Sequence, residues 1–254
     1  PPNYGIGAEH NYYFSHMLNC LYDCRYCFLQ GMYQSANYVL FVNYEDYYAD
    51  MQRLCAETPD QAVHFFSGYD CDSLALEPVT DFAREFLPVI RSMPNAWMEL
   101  RTKSTQVRYL LETKAFDRCI IAFSFTPDEI ARALEHKAPV IAKRLDALNK
   151  LQQQGWPIGL RFDPIIYEDD YQQHYRDLFK TVFARINPET LHSVSLGVFR
   201  LPDKYFKKIH KLYPEEKLFA SPLESDQGMM SYKAELEQEM MDFCTTELMN
   251  YIGQ

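Results

Sequence analysis

Extended and helical stretches alternate along nearly the whole of this 254-residue chain, and no other feature constrains its fold as strongly. Residues 12–18 (YYFSHML), 62–67 (AVHFFS), 97–102, 119–125 (CIIAFSF), 157–166 and 191–199 are short apolar runs rich in β-branched and aromatic residues, and they read as strands. Helical patterns lie between them, at residues 44–56, 79–93, 106–113, 139–154, 171–186 and 203–212. The fourth of these opens on Pro139, whose missing N–H does no harm in a first turn. A second extended piece spans residues 37–42. Residues 220–230 (ASPLESDQGMM) read as a loop, and residues 231–252 as a closing amphipathic helix.

Strands that alternate with helices imply βαβ units on a parallel sheet. About six units are too few for a closed eight-fold barrel. The expected fold is therefore α/β, a partial (β/α)6 TIM-like barrel with a C-terminal helical extension. Residues 1–219 are assigned to the barrel and 220–254 to a loop and helix packed on it, one domain overall. Its active site is expected at the carboxyl ends of the strands.

Three of the seven cysteines crowd into eight positions after the first strand: Cys20, Cys24 and Cys27, spaced C-x3-C-x2-C. The other four, Cys55, Cys71, Cys119 and Cys244, are scattered, and that pattern is no disulfide framework. Cys55, Cys119 and Cys244 read as small buried apolar residues. Three thiolates on one short loop can hold three corners of a [4Fe–4S] cluster, leaving one iron open to a ligand. The competing occupant is zinc, with His16 as the nearest fourth ligand, and the chain is then a metal-binding domain without turnover. Structural zinc sites favour paired C-x2-C spacings, and a purely electron-transferring cluster favours four cysteines.

The cysteine spacing, placed after the first strand of a βα chain, resembles the signature of the radical S-adenosylmethionine superfamily. The resemblance implies a [4Fe–4S] cluster on Cys20, Cys24 and Cys27 that cleaves S-adenosyl-L-methionine to a 5′-deoxyadenosyl radical. The stretch from Cys20 to Glu45 is more narrowly similar to the spore photoproduct lyase family, through Tyr26-Cys27-Phe28-Leu29-Gln30 and residues 37–43. Similarity continues through Arg101-Thr102-Lys103, residues 122–125, Asp163-Pro164-Ile165 and Phe199-Arg200. That family repairs a thymine dimer photoproduct in DNA, which implies a carbon–carbon lyase. The alternative is an enzyme of the same fold acting on a peptide, tRNA or small metabolite.

The same resemblance assigns roles. Tyr26 is implied against the adenine, Ser67, Gly68 and Asp70 beside the cofactor's amino group, Lys103 on its carboxylate, and Ser124 on its ribose or carboxylate. Asp163 and Arg200 fall on the active face, as substrate contacts or as a salt bridge at the barrel mouth. Cys71 and Tyr69 are the candidates for returning a hydrogen atom to the product. Alignment on Asp72 and Thr80 puts Tyr69 at the family's cysteine, and an extended chain would turn Cys71 the same way. Phe28 stands where the family has a helper tyrosine, and a phenyl ring has no O–H to donate. Glu135 and His136 read as surface residues.

Charge bears on partners. The chain carries 25 Lys and Arg against 35 Asp and Glu, a net charge of −10. That weighs against a phosphate backbone unless a local basic patch supplies the contacts. Residues 230–242, matched to the family's DNA-gripping hairpin, read as acidic and helical. The family also implies an electron donor of flavodoxin or ferredoxin type. With no long apolar run and no signal peptide, a cytoplasmic protein without membrane contact is expected.

Overall fold

The computed structural model describes residues 8–33 and 35–253. Strands β1 (His10–Phe14) and β2 (Met17–Leu18) lead into α1 (Leu29–Met32), β3 (Val39–Leu40) and α2 (Tyr44–Glu57). Then come β4 (Val63–Ser67), α3 (Glu77–Thr80), α4 (Phe82–Ser92), β5 (Ala96–Thr102), α5 (Arg108–Glu112) and β6 (Cys119–Ser124). Next are α6 (Asp128–Leu134), α7 (Ile141–Gln153), β7 (Ile158–Ile165) and α8 (Tyr171–Phe183). The chain closes with β8 (Leu191–Val198), β9 (Arg200–Pro202), α9 (Asp203–Leu212), β10 (Leu223–Asp226), β11 (Met229–Tyr232) and α10 (Ala234–Ile252).

Six strands form one parallel sheet in the order β1-β4-β5-β6-β7-β8. Each strand joins beside its predecessor, so the sheet grows in one direction and curls instead of reversing at a switch point. With six strands it stays an open partial barrel. All five residues of β4 and all six of β6 are buried, as strands covered on both faces must be. On β5, residues two apart share a face. Glu99 there reaches across β6 to Arg161 on β7 at 2.7 Å, both buried. Gly159 makes room for that pair, since a Cβ would stand 2.8 Å from the Arg161 guanidinium.

Several expectations are corrected. The first strand ends at Phe14, and Met17–Leu18 pairs instead with Val39–Leu40 outside the barrel. The helix expected at 79–93 breaks at Asp81, where φ is +47°. The buried Glu77 carboxyl accepts from the Ala83 N–H and so caps the second segment. Helix α6 was not expected; at seven residues it is too short to show a periodicity.

The loop expected at 220–230 is a hairpin. β10 and β11 pair around Gln227 and Gly228, both at positive φ, and β11 also pairs with β9. Two residues of this conformation form the turn that suits a tight hairpin. Because Met229–Tyr232 is strand, the final helix begins at Ala234 and not at residue 231. α10 packs back on α8 through Arg176–Glu247 at 2.9 Å and the stacked Phe183 and Tyr251 rings. Among the described residues no helix is long and apolar enough to cross a membrane.

Candidate functional site

The cysteine loop follows β1 and β2 on the edge of the barrel. Asn19 opens it at φ +71°, a conformation asparagine tolerates, and its amide donates to the carbonyls of Ser35 and Asn37. The Cys27 N–H closes back on the Cys24 carbonyl at 3.0 Å, and the next turns become α1. Cys24 is buried; Cys20 and Cys27 are half-buried, and all three are free thiols. Their mutual influence is visible in the acidities: burial, then Asp72 and Cys27, pushes the Cys20 thiol up. Burial pushes Cys24 up to about 12 against the pull of Lys103.

A buried ionic knot holds this loop. Cys24 forms a β-bridge with Glu135, flanked by Arg25 N–H to the Leu134 carbonyl at 2.8 Å and His136 N–H to the Asp23 carbonyl. Contrary to expectation, Glu135 is not a surface residue: its side chain is fully buried. It accepts from the Tyr26 phenol, from Thr126 at 3.1 Å, and from the Arg144 guanidinium, itself 1% exposed. His136 is exposed, as expected. The Lys103 ammonium lies 5.5 Å from the Tyr26 ring centre. Burial works against its charge, but Glu135, Cys24 and Cys27 outweigh that and hold its pKa above the ordinary value. The same cations outweigh burial at Glu135 and keep it ionised.

Next to the loop, the β4 end carries Ser67 to Cys71. Gly68 has φ +82°, and a Cβ would stand 2.6 Å from the Ser73 hydroxyl, so the turn itself requires glycine. The Ser67 hydroxyl is engaged within the protein, donating to the Glu99 carbonyl and sharing a bond with Ser73. Asp70 keeps one carboxylate oxygen buried without a partner among the described residues. The segment bends here, so positions 69 and 71 do not share a face as an extended chain would have them. Tyr69 is 53% exposed, with its ring 5.6 Å from Phe28. Cys71 is buried, its sulfur 3.9 Å from His16 Nδ1.

Asp72 organises the junction and was overlooked in the sequence as a site residue. It accepts from the Thr102 hydroxyl and the Lys103 N–H, each at 2.6 Å, and from the Leu74 N–H at 3.0 Å. Ser124 is buried at the end of β6, with its carbonyl bound by Arg144. At the mouth Asp163 bridges Arg101 at 3.2 Å and Arg200 at 3.8 Å, the salt-bridge alternative of the sequence reading. Gly197 leaves room for it, since a Cβ would lie 3.0 Å from the Asp163 carboxylate.

The donor set fits an iron–sulfur cluster: three free thiols on one loop can each hold a separate iron and leave a fourth open. Among the described residues no group of three His, Cys, Asp or Glu side chains is disposed to hold a metal ion. His16 stacks on Phe82 at 3.8 Å and faces Cys71, away from a fourth-ligand role.

The family model of spore photoproduct lyase matches residues 8–234. The chain belongs to the spore photoproduct lyase family. Among curated relatives, the spore photoproduct lyase of Bacillus subtilis strain 168 is 24% identical over 219 residues, covering 84% of this chain. That of Geobacillus sp. strain Y412MC61 is 24% identical over 215 residues, with the same coverage. The chain spans 62% of the length of each. A spore photoproduct lyase mutant solved with AdoMet and a dinucleoside spore photoproduct superposes with a TM-score of 0.88 at 19% identity. It covers 97% of this chain and 75% of that one. A more distant AdoMet-bound protein, anSMEcpe, reaches 0.52 at 12% identity over 83% of this chain and 60% of its own. The likeness extends over nearly the whole chain, so the partial barrel is a spore photoproduct lyase fold.

Proposed function

We propose that this chain is a radical S-adenosylmethionine lyase acting on a thymine photoproduct in DNA. The observation that carries the reading is the cysteine loop, pinned by the Glu135 knot at the carboxyl end of the first barrel strand of a spore photoproduct lyase fold.

Cys20, Cys24 and Cys27 hold the [4Fe–4S] cluster. When bound, the cluster and S-adenosylmethionine supply hydrogen-atom abstraction from an unactivated carbon. This chain's residues bind, orient and shelter. Lys103, kept charged by Glu135, is suited to a carboxylate, and a charge-assisted bond is strong in a dry site. Asp70, with an unfilled oxygen, is suited to an ammonium. Tyr26, its hydroxyl tied to Glu135, offers a fixed ring to an adenine. Gly68 lets the backbone between them come close, while Ser67 and Ser124 shape the walls. Tyr69, exposed beside Phe28, is better placed than the buried Cys71 to face a substrate.

A non-DNA substrate is the second reading, favoured by the acidic hairpin with Glu224 and Asp226. A flavodoxin- or ferredoxin-like protein is the expected electron donor. The test is anaerobic iron–sulfur reconstitution, then 5′-deoxyadenosine release with and without dinucleoside photoproduct. Release by wild type and none by Cys24→Ala supports radical chemistry; zinc at one per chain and no iron removes it. Release that the photoproduct leaves unconverted moves the reading to another substrate.

A further inference from the structure

Helix α9 carries Lys204, Lys207, Lys208 and Lys211 within ten residues, against one acid, Asp203. No other ten-residue stretch of this acidic chain holds four lysines. All four are exposed. Its opposite face is fastened to the cysteine loop. The Tyr205 backbone meets Gly31 so closely that a Cβ there would stand 2.8 Å from the Tyr205 carbonyl oxygen, and the Tyr205 ring lies 6.4 Å from Phe28. Just past the helix, Tyr213 takes the Arg25 guanidinium over its ring at 3.6 Å and donates to Gln30.

We propose that the lysine face of α9 is where the phosphates of the substrate strand lie. The inference rests on the DNA reading above and locates the grip that reading needs. A polyanion settles where the potential is positive, and on a chain of −10 that place must be local. The hairpin does not offer it, since its first strand bears Glu224 and Asp226. From Lys204 to Lys211 the helix rises about 10 Å, enough to run beside more than one phosphate of a strand.

The neighbouring rings set nucleic acid apart from an acidic protein partner. Lys204 and Lys208 reach back to 4.7 and 6.0 Å from the Tyr205 ring centre. Phe28 then links Tyr205 to the exposed Tyr69. Cations that track a backbone next to rings that stack bases are the two parts of a single-strand platform. An acidic electron carrier matches the lysines but leaves the row of rings unused.

The test is fluorescence anisotropy of a thymine-rich, fluorescein-labelled single-stranded oligonucleotide with the whole chain, from about 50 to about 200 mM salt. Wild type is compared with K204Q/K207Q/K208Q/K211Q and with the milder K207Q/K208Q, circular dichroism showing that each is folded. The slope of log affinity against log salt should flatten by about 0.7 for each lysine removed. Affinity of the fourfold variant should fall tenfold or more. An unchanged slope overturns the proposal, as does a wild type that does not bind. Intact oligonucleotide binding with slowed cluster reduction by flavodoxin overturns it in favour of a protein partner. Wild-type turnover of the dinucleoside photoproduct judges the repair reading separately. Turnover with an unchanged slope sinks the helix assignment alone, and lysine-dependent binding without turnover sinks the repair reading alone.

Discussion

The phenol of Tyr26 donates a hydrogen bond to the carboxylate of Glu135, joining residues 109 positions apart. Arg144, buried with it, and the half-buried Lys103 balance the carboxylate's charge. Glu135→Ala strands both cations without a counter-charge, a change that costs about 3–5 kcal/mol in buried pairs. Glu135→Gln keeps an acceptor for Tyr26 and should lose less. Urea unfolding of the apoprotein measures both, and a Glu135→Ala midpoint equal to wild type would show that the knot does not hold the loop.

Gly68→Ala is expected to strain the β4 turn. It combines a left-handed φ of +82° with a Cβ that meets the Ser73 hydroxyl at 2.6 Å. Such backbone strain costs about 1–3 kcal/mol. Because Tyr69 and Asp70 follow directly, S-adenosylmethionine affinity should fall as well. Calorimetric titration on the reconstituted protein reads that loss, and undiminished affinity would leave Gly68 with a folding role alone.

His16 and Glu77 should tilt stability with pH in opposite directions. Burial lowers His16 to about 3, and its ring is 1% exposed. The unfolded chain takes up this proton near pH 6.5 and the folded chain only near 3. Stability is therefore full above about 6.5 and falls as pH drops through that window, by up to roughly 4–5 kcal/mol. Burial raises Glu77 to about 7. Here the unfolded chain loses its proton first, near 4.5, so stability falls as pH rises from there to about 7. Urea midpoints across this range should show His16→Leu flattening the acid limb and Glu77→Gln the other. An acid limb that persists in His16→Leu assigns it elsewhere.

Tyr69→Phe and Cys71→Ala should separate. Tyr69 lies open beside Phe28, whereas Cys71 is packed against His16. With dinucleoside photoproduct, Tyr69→Phe is expected to keep cofactor cleavage and lose at least tenfold in repaired product. Cys71→Ala should keep both within about threefold. Chromatography of the products decides, and the reverse pattern would return the hydrogen-donor role to Cys71.

The barrel was legible because each strand is a short apolar run followed by a helix with its own periodicity. β4 and β6 are buried along their whole length, and their sequences show it. Elements held by tertiary partners were not legible. The break at Asp81 depends on Glu77 reaching Ala83, and β11 depends on pairing with β9. Its Gln-Gly turn lacks the Asn-Gly or Asp-Gly that marks hairpins most clearly. At the site, the cysteine loop stands out by its spacing, whereas nothing around Glu135 in the sequence marks it as buried. One signal pointed to its partner. Arg144 falls on the apolar stripe of α7 with Ile141, Leu145 and Leu148, and a charge there calls for a buried counter-charge.

The bridge between Cys24 and Glu135 also sets an order of assembly. The three thiols lie near the start of the chain, but the segment that pins their loop comes more than a hundred residues later. A growing chain shows the ribosome's surroundings three reactive thiols long before it can present them in their final arrangement. Iron delivered at that stage meets a floppy chelator; delivered after the fourth barrel strand and α6 have docked, it meets a shaped one. The loop therefore takes its final pinned form only in a chain that has been made and folded past residue 135.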